Sequence, residues 1–461
     1  MATTEQPTAL VRRDHDPPAR RGPARRDVIV AGTVLLVSIL IGGWGALLRR
    51  YGVPLLLGHG DLLAGAYGVR GGFSTGPVVA LGVVVVGWGP AITQRLSWRR
   101  LLILGAVTSA VWSTLLALVD GVHKGLIQPL VASGQYENDV PRVHGVASTL
   151  RGFTDHILSA ADPWTTHVAG HPPGALLTFW ALHRIGLGAV GFAAALCIAG
   201  GALAVPAVLL VARDVAGAAA ARAAAPFLVA LPAVLWIAVS ADAWFLGVTA
   251  WGIAALSAAA HRTGIRSDLL AVAGGLLLGG GIFLSYGLVL LAPLAIAVVA
   301  VRRRVRPLLV GAVAVTAVVA TVAAAGFWWF DGLTATRERV HLGAAGARPY
   351  YYFVVADLAI LAIALGPAVL AGLGRVAHRP AGHGNPRSQR GLMVLVAAAG
   401  IGLLVADLSG LARGEVERVW LPFMPWLAVA AALLPRRDVR WWLAAQVIVT
   451  IAIQTFVVSP W

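Results

Sequence analysis

Two groups of residues in this chain could do chemistry: the turn His171-Pro172-Pro173-Gly174, and the long polar loop before it with Glu137-Asn138-Asp139, Asp155 and Asp162. Carboxylates and imidazoles can take or give a proton near neutral pH when their surroundings tune them. Both groups lie in a chain made mostly of apolar runs. A polar stretch this long cannot satisfy its backbone in lipid, so it must be solvated or rest on protein beside a cavity. The loop is therefore the expected seat of a site at a membrane surface.

The elements that must position this loop follow from composition. Hydrophobic residues make up 58% of the 461 positions and charged residues 12%. The mean hydropathy is +0.80. That balance belongs to a polytopic, all-α membrane protein. The formal net charge of +16 comes from short basic clusters between apolar runs, which read as topology signals and not as a nucleic-acid surface. Cys197 is the single cysteine, so neither an intrachain disulfide framework nor a cysteine metal site is available.

Residues 1–26 read as a disordered basic cytoplasmic tail, and 27–461 as the transmembrane domain. About thirteen spans are expected: 27–48, 77–93, 100–119, 190–211, 220–240, 243–260, 268–284, 286–301, 307–329, 351–373, 392–408, 420–435 and 441–458. Segment 172–187 opens on two prolines and ends near His183-Arg184, which suits a re-entrant or interfacial helix within an outer catalytic loop of about 120–189. With the N-terminus cytoplasmic and the C-terminus outside, 24 of the 36 Lys and Arg fall inside and 12 outside, as the positive-inside rule requires.

This topology gathers the unusual polar residues on the outer side. They are loop 120–171, Asp242, Ser285-Tyr286 at the tip of a tight helical pair, loop 330–350, and Asp407 to Arg418. Ionisable groups at membrane depth cost about 2.5–3.5 kcal/mol each at a helix centre, so their convergence points to function.

The order of these features resembles the GT-C membrane glycosyltransferases, of the protein mannosyltransferase or aminoarabinose transferase type. In that family an acidic motif in the first large outer loop precedes a Pro-Pro segment. An outward Asp and a Gly-rich helical hairpin follow. Here the matching positions are Glu137-Asn138-Asp139, His171-Pro172-Pro173, Asp242 in Ser240-Ala241-Asp242-Ala243, and Gly274 to Pro293 with its tip at Ser285-Tyr286-Gly287. The similarity covers roughly residues 100–305. The chain departs from the family in separating its two carboxylates by Asn138, in lacking a Lys at the hairpin tip, and in carrying two spans ahead of the one that introduces the loop.

The resemblance implies an inverting hexosyl- or pentosyltransferase. It would move a sugar from a polyprenyl-phosphate donor to a glycan, lipid or protein acceptor of the cell envelope, at the outer face of the bilayer. Asp139 is then the expected base, with Glu137 next. Arg337, Arg339 and Arg418 are candidates to clamp the leaving phosphate, and Ser285 and Tyr286 line the donor site. His167 and His171, four residues apart, could bind donor phosphate or sugar, or a metal. Asp242 could orient the loop or help hold a divalent cation such as Mg or Mn; no cofactor is certain. The alternative is a multi-spanning transporter or lipid flippase, which would distribute charge across the membrane and repeat one half of the chain; neither pattern is evident.

Overall fold

The computed structural model describes residues 23–378 and 386–459. Its principal helices are α1 Arg25–Arg50, α2 Thr75–Arg95, α3 Trp98–Ala117, α4 Pro173–Arg184, α5 Val190–Ala216, α6 Ala218–Val229, α7 Ala241–Ala260, α8 Ile265–Gly281, α9 Ala292–Ala300, α10 Arg306–Ala324, α11 Trp329–Leu342, α12 Tyr350–His378, α13 Pro386–Ser409 and α14 Val439–Phe456. Strands among the described residues are limited to an antiparallel ribbon of β1 Ala66–Tyr67 with β2 Val457–Val458. The protein is an all-α, multi-pass membrane protein.

Among the described residues, nine helices are long and apolar enough to cross a membrane. The other four expected spans are shorter or broken. Segment 220–240 divides into α6 and a 3-10 turn at Pro232–Trp236. Segment 268–284 becomes the 17-residue α8, and 286–301 becomes a 3-10 turn followed by α9. Segment 420–435 divides at Met424–Ala428 and Val429–Leu433. Pro232 and Pro425 lack the N–H that would continue a preceding helix, so each starts a new turn. The basic tail expected at 1–26 lies outside the described residues as far as residue 22; Arg25 and Arg26 already open α1. Segment 172–187 forms the 12-residue α4.

The centre of the bundle is α5 packed on α7, with α8 on the far side of α7 and α10 beyond it, while α3 packs on α5 and α1 on α12. Helices α5 and α7 approach closely because both contacts are glycines. A Cβ on Gly247 would lie 2.6 Å from the Gly200 carbonyl oxygen, a form of contact that small residues allow where lipid offers no hydrophobic drive to association.

Helix α12 is interrupted within the membrane-spanning region at Gly366 (φ 72°) and Pro367. This break frees a carbonyl and an N–H where no water can take them. Gln446 of α14, fully buried, takes both: its Nε2 donates to the Leu365 carbonyl at 3.0 Å, and its Oε1 accepts from the Ala368 N–H at 3.0 Å. One side-chain amide thus replaces the two missing backbone partners.

Contacts between distant segments sort the loops into two ends. At one end Arg375 pairs with Asp27 at 2.7 Å, Arg222 donates to the carbonyls of Thr93 and Leu96, Arg302 meets His261, and Arg306 pairs with Asp268. At the other end the β1–β2 ribbon joins loop 51–74 to the C-terminal segment. Arg70 fastens that loop to Asp120 at 2.5 Å and to the Val457 carbonyl. The long loop 118–172 belongs to this second end.

Candidate active site

The loop before α4 is held by one arginine. Arg142 donates to Asp139 at 2.8 Å, to the Pro163 carbonyl at 3.0 Å and to Asp162 at 2.7 Å, and its guanidinium lies 4.1 Å from the centroid of Trp164. Trp164 in turn donates its indole N–H to the Phe153 carbonyl at 2.9 Å. Asp139 is 2% exposed. Its second oxygen accepts from the Thr165 N–H at 2.8 Å and the Thr165 hydroxyl at 2.7 Å. Both carboxylate oxygens are therefore engaged in joining residues 136–142 to residues 162–165, which is the arrangement of a brace.

Glu137 lies on the other side of the single 3-10 turn Tyr136–Asn138. Its carboxylate meets His183 of α4 at 2.8 Å, with side-chain exposures of 9% for Glu137 and 38% for His183. The separation of the two carboxylates by Asn138 thus has a structural consequence: one carboxylate ties the loop together and the other is carried toward α4.

Tyr136 marks the floor of the site. Its ring stacks on Phe179 with centroids 5.3 Å apart, and it touches His171 at 5.9 Å and His167 at 6.1 Å. His171 also packs on Phe245 of α7 at 5.7 Å. Its Nδ1 is buried and has no hydrogen-bond partner. Burial lowers the His171 pKa to about 4; Asp242 and the Leu284 carbonyl oppose this shift and Arg418 adds to it. Burial, then Arg418 and His171, holds His167 well below the usual imidazole range as well. Both rings are neutral at physiological pH, so what they can offer a ligand is a hydrogen bond and not a positive charge.

The turn His171-Pro172-Pro173-Gly174 brings α4 against the tip of the α8–α9 hairpin. Gly174 donates its N–H to the Phe283 carbonyl at 2.9 Å, and a Cβ at Gly174 would stand 2.4 Å from that oxygen. Only glycine permits this approach. Ser285 is extended and precedes the 3-10 turn Tyr286–Leu291, and Tyr286 is buried beneath α11, its hydroxyl against Gly332.

Beside the aromatic floor lies a buried chain of four charges. Arg418, 9% exposed, donates to Asp242 at 3.0 Å and to Glu415 at 3.1 Å. Glu415 accepts from Arg348 at 3.0 Å, and Arg348 also donates to the carbonyls of Leu55, Leu56 and Arg413. The alternation of sign leaves the group neutral, as burial demands. Burial acts to raise the Glu415 pKa, but Arg418 and Arg348 overcome it and the net shift is downward. For Arg418 burial acts downward, and Asp242 and Glu415 carry the net shift upward.

The backbone is strained on both segments that present this pair. Val239, three residues before Asp242, has φ 61°, and Glu415 has φ 63°. Left-handed conformations in non-glycine residues cost roughly 1–3 kcal/mol each and persist where surrounding contacts over-determine them. Asp242 is further fixed by Ser240, which caps α7 by accepting from the Asp242 N–H at 3.2 Å and donates its hydroxyl to the Asp242 carboxylate at 3.1 Å. Asp357 of α12 supports the other segment by accepting from the Gly414 N–H at 2.9 Å.

Of the residues expected from sequence, the fold brings Tyr136's neighbours His167 and His171 together with Asp242 and Arg418. Glu137 and the Ser285-Tyr286 tip border the group. Arg337 and Arg339 stay outside it: they sit on α11, Arg337 exposed and Arg339 half-buried. Helix α11 itself docks on the site's edge through Thr336, whose hydroxyl donates to the Ala169 carbonyl at 2.9 Å. His183, Glu415, Arg348 and Arg142 complete the arrangement and are not among the expected site residues.

Among the described residues, no group of three His, Cys, Asp or Glu side chains is placed to hold a metal ion. The donor set at Asp242 does not fit a divalent cation, because that carboxylate is engaged by Arg418 and an adjacent guanidinium repels a second positive charge.

No family model matches the chain, and no curated protein matches it. Similar solved structures are those of an Archaeoglobus fulgidus oligosaccharyltransferase. Its complex with Zn and sulfate gives a TM-score of 0.40 at 16% identity, over 76% of this chain and 53% of that one. The form tethered to an acceptor peptide containing the NVT sequon gives 0.39 at 15%, over 74% and 50%. The archaeal oligosaccharyltransferase AglB from the same organism, in complex with an inhibitory peptide and a dolichol-phosphate, gives 0.36 at 15%, over 74% and 50%. The chain spans about half the length of these proteins.

Proposed function

We propose that the protein is a membrane glycosyltransferase of the GT-C type, which transfers a sugar from a polyprenyl-phosphate donor to a cell-envelope acceptor at the outer face of the bilayer. The observation that carries this reading is the gathering of His167, His171, Asp242 and Arg418 around Tyr136, directly behind the acidic loop and the Pro172-Pro173 turn. These residues come from segments as far apart as positions 136 and 418. A transfer of this kind needs a base for the acceptor hydroxyl and positive charge near the departing phosphate.

In this reading Glu137 is the base and Asp139 the brace. Asp139 would have to give up Arg142 and Thr165 to reach a hydroxyl. Glu137 has only to exchange its partly exposed partner, His183, for the acceptor. It takes the hydroxyl proton as the acceptor oxygen bonds to the anomeric carbon from the face opposite the phosphate. The bond from that carbon to the phosphate oxygen breaks, and the configuration inverts. The neutral imidazoles of His167 and His171 hydrogen-bond to the sugar or its phosphate. Arg337 and Arg339 close on the phosphate from α11, and Ser285 and Tyr286 border the donor.

The test is transfer by purified protein in lipid, with a panel of polyprenyl-phosphate sugars and envelope acceptors, read by mass spectrometry. Wild type transfers sugar. Glu137→Gln, still folded, loses on the order of 10²–10⁴-fold in rate, while Asp139→Asn loses stability and keeps measurable rate. The reverse pattern moves the base to Asp139. No binding or consumption of any donor by the wild type overturns the glycosyltransferase reading in favour of a transport function.

A further inference from the structure

The end of the bundle opposite the site contains a cavity of about 540 Å³ between α2, α6, α12, α13 and residues 431–439. Among the described residues its wall holds Arg222, Arg375 and Arg436 and no Asp or Glu. Arg375 is neutralised by Asp27 from outside the wall. Arg222 is not: its guanidinium donates to two neutral carbonyls, those of Thr93 at 2.5 Å and Leu96 at 2.9 Å, and keeps its full charge. Arg436 is exposed and makes no ion pair with a described residue. The rest of the wall is mostly apolar, including Pro226, Leu392 and Met393, with Ser388 at the rim.

A second cavity at the same end, of about 480 Å³, provides an internal contrast. Of its two arginines, Arg213 has Asp214 of the same wall at 3.8 Å and only Arg262 meets a neutral carbonyl, so one cation is left uncompensated against two in the first cavity. The first cavity combines net positive charge with an apolar interior, and that combination fits an anion carried on an apolar body.

We propose that this cavity binds one anionic glycerophospholipid, with its phosphate between Arg222 and Arg436 and an acyl chain along Pro226, Leu392 and Met393. Basic hollows between membrane helices take anionic headgroups, each Lys or Arg near the surface contributing about 1 kcal/mol. The cavity lies at the end where Arg302, Arg304, Arg306 and Arg375 also gather. A bound lipid there would cover the junction of α6, α12 and α13 and is independent of catalysis at the opposite end.

The experiment is native mass spectrometry of the full chain released from detergent after exposure to phosphatidylglycerol or phosphatidylcholine. A parallel sample receives inorganic phosphate. The expected result is selective retention of one phosphatidylglycerol, not displaced by inorganic phosphate. Arg436→Gln and, separately, Ser388→Asp each weaken retention about fivefold. Both positions are at least partly open to solvent, so neither change should prevent folding; Arg222→Lys, which keeps the charge, retains the lipid. Equal retention of phosphatidylcholine, or phosphatidylglycerol retention unchanged in both weakening variants, overturns the proposal. Displacement by phosphate alone shows a free-anion site and overturns the lipid assignment.

Discussion

The two ends of the bundle carry charge in different ways. At the basic end, arginines lie at helix termini and meet carbonyls, an imidazole or single carboxylates at partly exposed positions, as Arg306 does with Asp268. At the site end, Asp242, Arg418, Glu415 and Arg348 alternate in sign, with Asp242, Arg418 and Arg348 all under 10% exposed. The first pattern is what insertion into a membrane asks of a sequence, since positive charge at helix ends decides orientation and its exact partners matter little. The second must be built with matched geometry, because any member left alone in a low-dielectric interior is heavily penalised. Charge count therefore reports on topology, whereas charge pairing reports on the site.

This contrast is most easily broken at Arg418. Arg418→Gln leaves Asp242 and Glu415 buried with reduced compensation, and a loss of about 3–5 kcal/mol in unfolding free energy is expected. Thermal or denaturant unfolding in detergent measures it. The double change with Asp242→Asn should recover part of that loss, because one stranded charge is gone. Arg306→Gln at the opposite end should leave the unfolding temperature where it was. Equal effects at Arg418 and Arg306 would mean that the buried chain is no more interdependent than a surface pair.

Lowering the pH attacks the same end more gently. His171 has a folded pKa of about 4 and His167 is also well below its ordinary value, so both stay neutral in the folded protein while an unfolded chain protonates near 6.5. Stability is therefore fully present above about pH 6.5. It falls as pH drops toward 4, with a slope approaching about 1.4 kcal/mol per pH unit for each imidazole. Unfolding temperature against pH gives the measurement. His171→Gln should flatten the curve between pH 6.5 and 4, and an unchanged curve would show that the ring is open to protons and does not lie on a dry floor.

Much of the architecture can be read from local signals, and the site only in part. Apolar runs announce helices wherever twenty such residues follow one another, and α1, α5, α7 and α13 conform. Hydropathy averages over a window and does not register that Pro232 and Pro425 interrupt it, so 220–240 and 420–435 look like uniform spans. The break in α12 has a readable counterpart, the lone Gln446 in an apolar segment, but nothing local connects it to Gly366 eighty positions earlier. The pairing of Asp242 with Arg418 is likewise silent in sequence, because 176 positions separate partners that only the packed bundle brings within 3.0 Å. By contrast, Arg142 stands three residues after Asp139, a spacing at which a salt bridge is common in helical turns. That spacing is a signal that the first carboxylate of choice is already occupied.

The smallest effect on stability, and the sharpest for the comparison, concerns Arg337 and Arg339. They lie at the site end yet resemble Arg222 and Arg436 of the basic end in forming no ion pair with a described residue. If their role were only to hold α11 at the membrane surface, Arg337→Gln and Arg339→Gln would change neither unfolding temperature nor transfer. The proposed phosphate contact predicts otherwise for the second quantity. A charge-assisted hydrogen bond to phosphate is worth enough that losing one should raise the donor KM about tenfold, with kcat less affected if the contact exists in the bound donor as well as the transition state. Unpaired charge at the site end would then wait for the phosphate of a reacting donor, whereas Arg222 and Arg436 at the basic end face a cavity remote from the chemistry. Helix α11 is suited to hold such charge in reserve, because Thr336 anchors it to Ala169 on one face while Arg337 stands on the exposed one.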